Sequence, residues 1–215
     1  RVCRRSLTAV PASYRCINPL ITLQCRWKRC EAKDNLPDNI ELITAARQTT
    51  VQQLLENDAN KFDVVLMDSP GQDTVLRDTI IAGSHIVLTP IQPNQDEIKA
   101  AGQAAADTAD ISDKVGRVIP HANFVTRITM PAKYLEAYRL VRPFVQNLQE
   151  GGYDSYLLAT ELMERNCYRE IRNGYGTLQM LDLTDSVKKG RAEVMNLVGD
   201  IEALLADEET GVANG

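Results

Sequence analysis

The sequence predicts an α/β domain, doubly wound, with a mainly parallel sheet flanked by helices. Three observations carry that prediction. Short, continuous apolar runs stop abruptly at turn residues, as strands buried on both faces do: residues 63–67 ahead of Asp68-Ser69-Pro70-Gly71, and 85–88 ahead of Thr89-Pro90. Apolar stripes at helical spacing flank these runs, with Val51, Leu54 and Leu55 before the first and Ile98, Ala101, Gly102, Ala105 and Ala109 after the second. Strands alternating with helices at such intervals build right-handed βαβ units.

The elements follow in order. Residues 13–17 suit an edge strand stopped by Asn18-Pro19, and Ile40-Glu41-Leu42-Ile43 alternates like a short strand. The central strand is expected at 63–68, a short helix at 74–82 and the next buried strand at 85–88, with His85 a structural residue on it. Pro93-Asn94 opens the small-residue helix, whose face can lie close to a sheet. A strand is expected at 119–125, and Pro131 suits the first turn of a helix running to about 149, bent at Pro143. Residues 156–159 read as a short strand, with Thr160 the N-cap of a helix that ends at Asn173-Gly174. Val187, Val194, Leu197, Val198, Ile201, Leu204 and Leu205 mark a last amphipathic helix.

Composition divides the chain into an irregular basic segment at 1–30, an α/β domain at 31–205 and an acidic tail at 206–215, expected to be disordered. Seven of the 24 basic residues, and none of the 29 acids, lie in the first 30 positions. Four of the five cysteines (Cys3, Cys16, Cys25 and Cys30) lie there too, without the C-x-x-C spacing that would favour zinc. No apolar run is long enough to span a bilayer and no secretory layout is present, so the expected location is cytoplasmic. The acids Asp207, Glu208 and Glu209 near the end argue against an anionic membrane as partner.

Chemically, the most informative stretch is the one ending at Asp68. Pro70 and Gly71 force the chain out of the sheet, leaving a carboxylate at the carboxyl end of a strand, where open α/β sheets bind ligands. A solvated aspartate at a turn is the plainer alternative.

Taken together, the order of motifs over 18–205 resembles the ParA/MinD family of deviant Walker ATPases, closest to its ParA partitioning branch. Met67-Asp68-Ser69-Pro70-Gly71 looks like Walker B and switch II. Residues 84–93 are similar to the strand ending in P-x-Q-P, and Asn123-Phe124-Val125-Thr126-Arg127 to the strand before the base-binding region. Glu164-Arg165-Asn166-Cys167-Tyr168-Arg169, with Gly174 and Gly176-Thr177, resembles a late R-x-x-Y…G pattern. The resemblance implies a P-loop NTPase-like fold, ATP and Mg²⁺ as cofactors of a complete member, and a homodimer. Its partners would be non-specific DNA and a ParB-like adaptor on the nucleoid. It assigns Asp68 to Mg²⁺, Gly71 to the switch turn, and Thr126 and Arg127 to the base. Basic residues on the late helices (Arg165, Arg169, Arg172, Lys188 and Lys189) would meet DNA, the alternative being solvated helix faces.

The sequence also departs from the family. Where the pattern has two aspartates, Cys16 and Asn18 stand, and a cysteine is no carboxylate. No glycine occurs before Gly71, so the K-G-G-x-G-K-[ST] turn whose N–H groups cradle phosphate is missing. The first segment is therefore expected to be a truncated or frame-shifted remnant, with a degenerate homologue as the alternative. The expected function is that of a ParA-like partitioning protein, incomplete or inactive as an ATPase in this chain and weak on DNA. No catalytic residue is assigned, and ATP and Mg²⁺ are not expected to bind here as they would in a complete member. A non-catalytic interaction or regulatory protein is the alternative.

Overall fold

The computed structural model describes residues 14–18, 40–44, 47–57, 61–69 and 75–212. Its contacts divide the chain into two compact units, 1–80 with 172–177 and 81–171 with 178–215; the sequence reading expects one domain over 31–205. The division falls within a single helix, between Ile80 and Ile81.

In the first unit, strands β1 (Tyr14–Asn18), β2 (Ile40–Thr44) and β3 (Val64–Met67) form a parallel sheet in the order β2-β1-β3. Two expectations are corrected. The stretch at 14–18 occupies the middle of this sheet rather than an edge, so the segment 1–30 is not irregular throughout. The run at 64–67 ends the order and pairs with β1 alone among the described residues. Its side chains alternate accordingly. Val65 and Met67 pack with Val51, Leu54, Leu55, Leu76 and Ile80, whereas Leu66 points the other way and is 52% exposed. Val51, Leu54 and Leu55 are the predicted stripe, on helix α1 (Gln48–Asn57), and Val51 is wholly buried. Leu76 and Ile80 come from α2 (Val75–Ala82).

The second unit is built on β4 (Val87–Ile91), β5 (His121–Ile128) and β6 (Ser155–Leu157), with β7 (Leu162–Met163) also paired to β5, and every pairing is parallel. Helix α3 (Gln95–Val115) starts where Asn94 accepts the Glu97 N–H at 2.9 Å, and it stops at Gly116, which takes φ 68°. This is an Asx cap followed by a left-handed C-cap. Its small face lies against α4 (Glu136–Glu150): a Cβ on Gly102 would sit 3.2 Å from the Phe144 ring. Ile91, Ala101, Val125, Ile128 and Val141 form the main core, each large side chain contributing about 2 kcal/mol of burial.

Four further expectations change. The helix begun at Pro131 is a 3₁₀ turn over Pro131–Tyr134 followed by α4, which carries Pro143 inside it. Thr160 caps no helix. Its N–H donates to Asp200 Oδ2 at 2.8 Å, and β7 intervenes before α5 (Asn166–Arg172). His85 is exposed and precedes β4, because that strand begins only at Val87. Finally, α6 (Asp185–Val212) runs through most of the stretch expected to be disordered, since Leu204, Leu205, Ala206 and Glu208 are all good helix formers.

Candidate functional site

Asp68 directly follows Met67 at the carboxyl end of β3, where the sequence reading puts it, and its side chain is half-buried. Gly71 lies outside the described residues. Thr126 and Arg127 belong to the second unit, at the carboxyl end of β5. Between Thr126, paired with Leu162, and Ile128, paired with Met163, the register shifts by one residue. Arg127 is the extra residue. It takes φ 56° and is exposed, a left-handed conformation costing about 1 kcal/mol for a side-chain-bearing residue. Bulges of this kind re-aim a side chain away from the sheet.

The segments that follow β5 and β6 form a crevice of about 670 Å³ with one face of α6, lined among others by Lys133, Thr160, Glu161, Met163, Asn196 and Asp200. Its walls are tied by side chains. Glu161 accepts from Lys133 Nζ at 2.6 Å and, through its other oxygen, from the Tyr138 hydroxyl in a short contact. Those hydrogen bonds raise the pKa of both Lys133 and Tyr138. Asp200 holds the Thr160 N–H. None of these residues stood out in the sequence, because the partners lie 23 to 40 positions apart.

The five predicted DNA cations prove mostly engaged. Arg165 forks onto both oxygens of Glu193, with Nε 3.0 Å from each and Nη2 in a shorter contact, and both side chains are largely buried. The Tyr168 hydroxyl joins them at 3.1 Å from Glu193 Oε2, and burial together with that carboxylate raises its pKa. Arg169 pairs with Glu164 at 2.6 Å. Lys189 pairs with Asp185 at 2.8 Å and holds that carboxyl below its ordinary range. Lys188 and Arg172 are exposed, and Arg172 belongs to the first unit.

Another polar cluster crosses the amino-terminal end of the second sheet. His121 Nε2 lies 2.8 Å from Thr89 Oγ1, and its Nδ1 lies 2.9 Å from Ser155 Oγ. Asn123 Nδ2 donates to Ser155 Oγ at 3.0 Å and to the Tyr156 carbonyl at 3.1 Å. Burial lowers the His121 pKa to about 4, so the ring is neutral and bridges three strands. At 1% exposure it meets no solvent and no ligand; its role is to hold strands together.

No protein-family model matches the sequence, and no curated protein does. Solved structures do match. The chain superposes on the MinD cell division protein of Aquifex aeolicus with a TM-score of 0.60 at 12% identity, covering 87% of this chain and 84% of that one. The septum site-determining protein MinD of Pyrococcus horikoshii OT3, complexed with Mg-ADP, gives 0.59 at 10% identity over 91% and 86%. A protein assigned to plasmid partition in Borrelia burgdorferi B31, bound to AMPPNP, gives 0.56 at 11% identity over 87% of both chains. The fold is that of MinD and the plasmid partition proteins.

Does the MinD-type fold here offer a nucleotide what it needs? One carboxylate, Asp68, stands at the carboxyl end of β3, and Mg²⁺ can be held by one carboxylate if phosphates and water complete its octahedron. The phosphates themselves need a run of backbone N–H groups and a lysine. No glycine occurs before Gly71, so the sequence carries no glycine-rich turn of that kind ahead of Asp68. Among the described residues no group of three or more acids, histidines or cysteines could hold a metal, and no helix is long and apolar enough to cross a membrane.

Proposed function

We propose that this chain is a ParA-like partitioning protein that does not hydrolyse ATP with its own residues. The observation that carries the reading is the pairing of a MinD-type fold with a sequence that keeps Asp68 and lacks a phosphate cradle. In a complete member ATP and Mg²⁺ would drive dimerisation, DNA binding on the nucleoid and release through a ParB-like adaptor. In this chain the first of those steps has no donor set.

A second reading, a non-catalytic interaction protein, is favoured by the state of the late-helix cations. Arg165, Arg169 and Lys189 are already neutralised by Glu193, Glu164 and Asp185, which leaves little free charge for phosphates. DNA binding through this surface is accordingly weak, with a log–log salt slope of about 0.9 per phosphate neutralised.

Phosphate release with Mg²⁺, with and without DNA, tests the reading. Turnover stays at background, and Asp68→Ala changes nothing. Robust turnover that disappears in Asp68→Ala overturns it.

A further inference from the structure

The crevice beside α6 is lined by three carboxylates, Glu161, Glu193 and Asp200, and by one cation, Lys133. Two of the acids are used up by the protein itself. Glu161 accepts from Lys133 through one oxygen and from the Tyr138 hydroxyl through the other. Both oxygens of Glu193 take the Arg165 fork, and one of them also takes the Tyr168 hydroxyl. Asp200 differs. Its Oδ2 accepts the Thr160 N–H at 2.8 Å, while its Oδ1 has no partner among the described residues. An amide N–H brings no charge, so one negative charge on the crevice wall lacks a counterpart.

The polar groups beside it are unengaged as well. Asn196 and Asp200 stand at i and i+4, on one face of α6. Neither the Asn196 amide nor the Thr160 hydroxyl makes a side-chain hydrogen bond among the described residues, and both residues line the crevice. Met163 and Met195 add apolar, polarisable walls, a side chain that adapts to ligands of different shape. An added Cβ at Gly199 would meet nothing within 4 Å, so the α6 wall is open there. A volume of about 670 Å³ is of the size that small organic ligands fill.

We infer that this crevice binds a small organic cation, an amine carried on an apolar body, with the ammonium on Asp200 and the body between Met163 and Met195. Charge decides the sign of the ligand. An anion would be repelled by Asp200, and the one lysine able to receive it is held by Glu161. A neutral ligand would take water from the Asp200 carboxylate and return no charge, which costs free energy. An ammonium has three donors, and beyond Asp200 the Asn196 carbonyl and the Thr160 hydroxyl are free to accept the other two. The site lies within the second unit and depends neither on the partitioning reading nor on nucleotide.

The test uses the isotope-labelled full chain with phenethylamine as probe, read by NMR shifts of the Thr160, Asn196 and Gly199 amides. The shifts are expected to be saturable for the amine and absent for phenethyl alcohol, phenylacetate and adenine at the same concentrations. Asp200→Asn keeps an acceptor for the Thr160 N–H and removes the charge; affinity should weaken at least about tenfold. Met195→Lys brings a cation to the crevice and should also weaken binding; Met195 is 61% exposed, so this variant keeps the fold whatever the first one does. Glu202→Gln removes a charge from an exposed position of α6 outside the crevice and should change nothing. The inference is overturned if the amine leaves those amides unmoved, if the alcohol or adenine binds as tightly, or if affinity is retained in either crevice variant.

Discussion

The two units carry different kinds of information. The first holds the most recognisable motif, Asp68 at the end of β3, on a described core centred on Val51 and Ile80 with five partly buried partners. The second holds weaker motifs on two apolar clusters, a buried polar network and a set of long-range side-chain pairs. Recognisability and structural investment are therefore separate properties of this chain. Its carboxyl edge in the second unit is held together by Glu161, Glu193 and Asp200, each bonded to other groups of the protein.

The sharpest way to break that contrast is to remove Glu193. Arg165 and Tyr168 would lose their common acceptor while part-buried, and losing hydrogen bonds to a charged partner there costs about 3 kcal/mol. Urea unfolding of Glu193→Ala should show a midpoint drop of that order, and Arg165→Met in the same chain should restore part of it. A change below about 1 kcal/mol would mean that the pair is solvated and that the second unit is not organised by such contacts.

A comparable effect is expected from pH. The folded-state pKa of His121 is lowered by burial to about 4, below its ordinary 6.5. Between those values the unfolded chain binds a proton that the folded chain refuses. The associated stability is complete above pH 6.5 and is lost as pH falls towards 4, by about 3 kcal/mol. His121→Gln should flatten that stretch of the stability profile, whatever it does to the absolute value.

A smaller effect compares the cores directly. Val51→Ala and Val141→Ala each delete two buried methyl groups and should cost about 2 kcal/mol. Amide exchange should rise in α1 and β3 for the first variant and in α4 and β5 for the second. Val141 belongs to a cluster of five buried residues and Val51 to one of two among the described residues, so the cavity at Val141 should collapse less and its cost should be the greater.

What the sequence revealed follows the range of the interaction concerned. The strands at 64–67 and 87–91, the stripe on α1 and the Asn94 cap are local, and neighbouring residues announce them. The middle position of β1, the bulge at Arg127 and the role of His121 depend on strands 26 or more residues away. Thr160 looked like a cap because threonine commonly is one; only Asp200, 40 positions on, claims its N–H instead. The late arginines looked like a DNA surface because charge is visible in sequence and its neutralisation is not.

The smallest effects come from two glycines of α6. Gly190 is packed so closely that an added Cβ would lie 3.0 Å from Cys167 Sγ, while at Gly199, on the crevice wall, nothing lies within 4 Å. Replacing either by alanine gains about 1 kcal/mol from reduced backbone freedom in a helix. At Gly190 that gain is set against overpacking of about 1–3 kcal/mol, because the sulfur is held at 3.4 Å from the Ser186 carbonyl and has little room to yield. Gly190→Ala should therefore lower the thermal midpoint slightly and Gly199→Ala should raise it, within one helix and one assay. A midpoint that falls for Gly199→Ala would mean that the crevice wall is packed against something in solution, and the crevice would then have to be treated as filled.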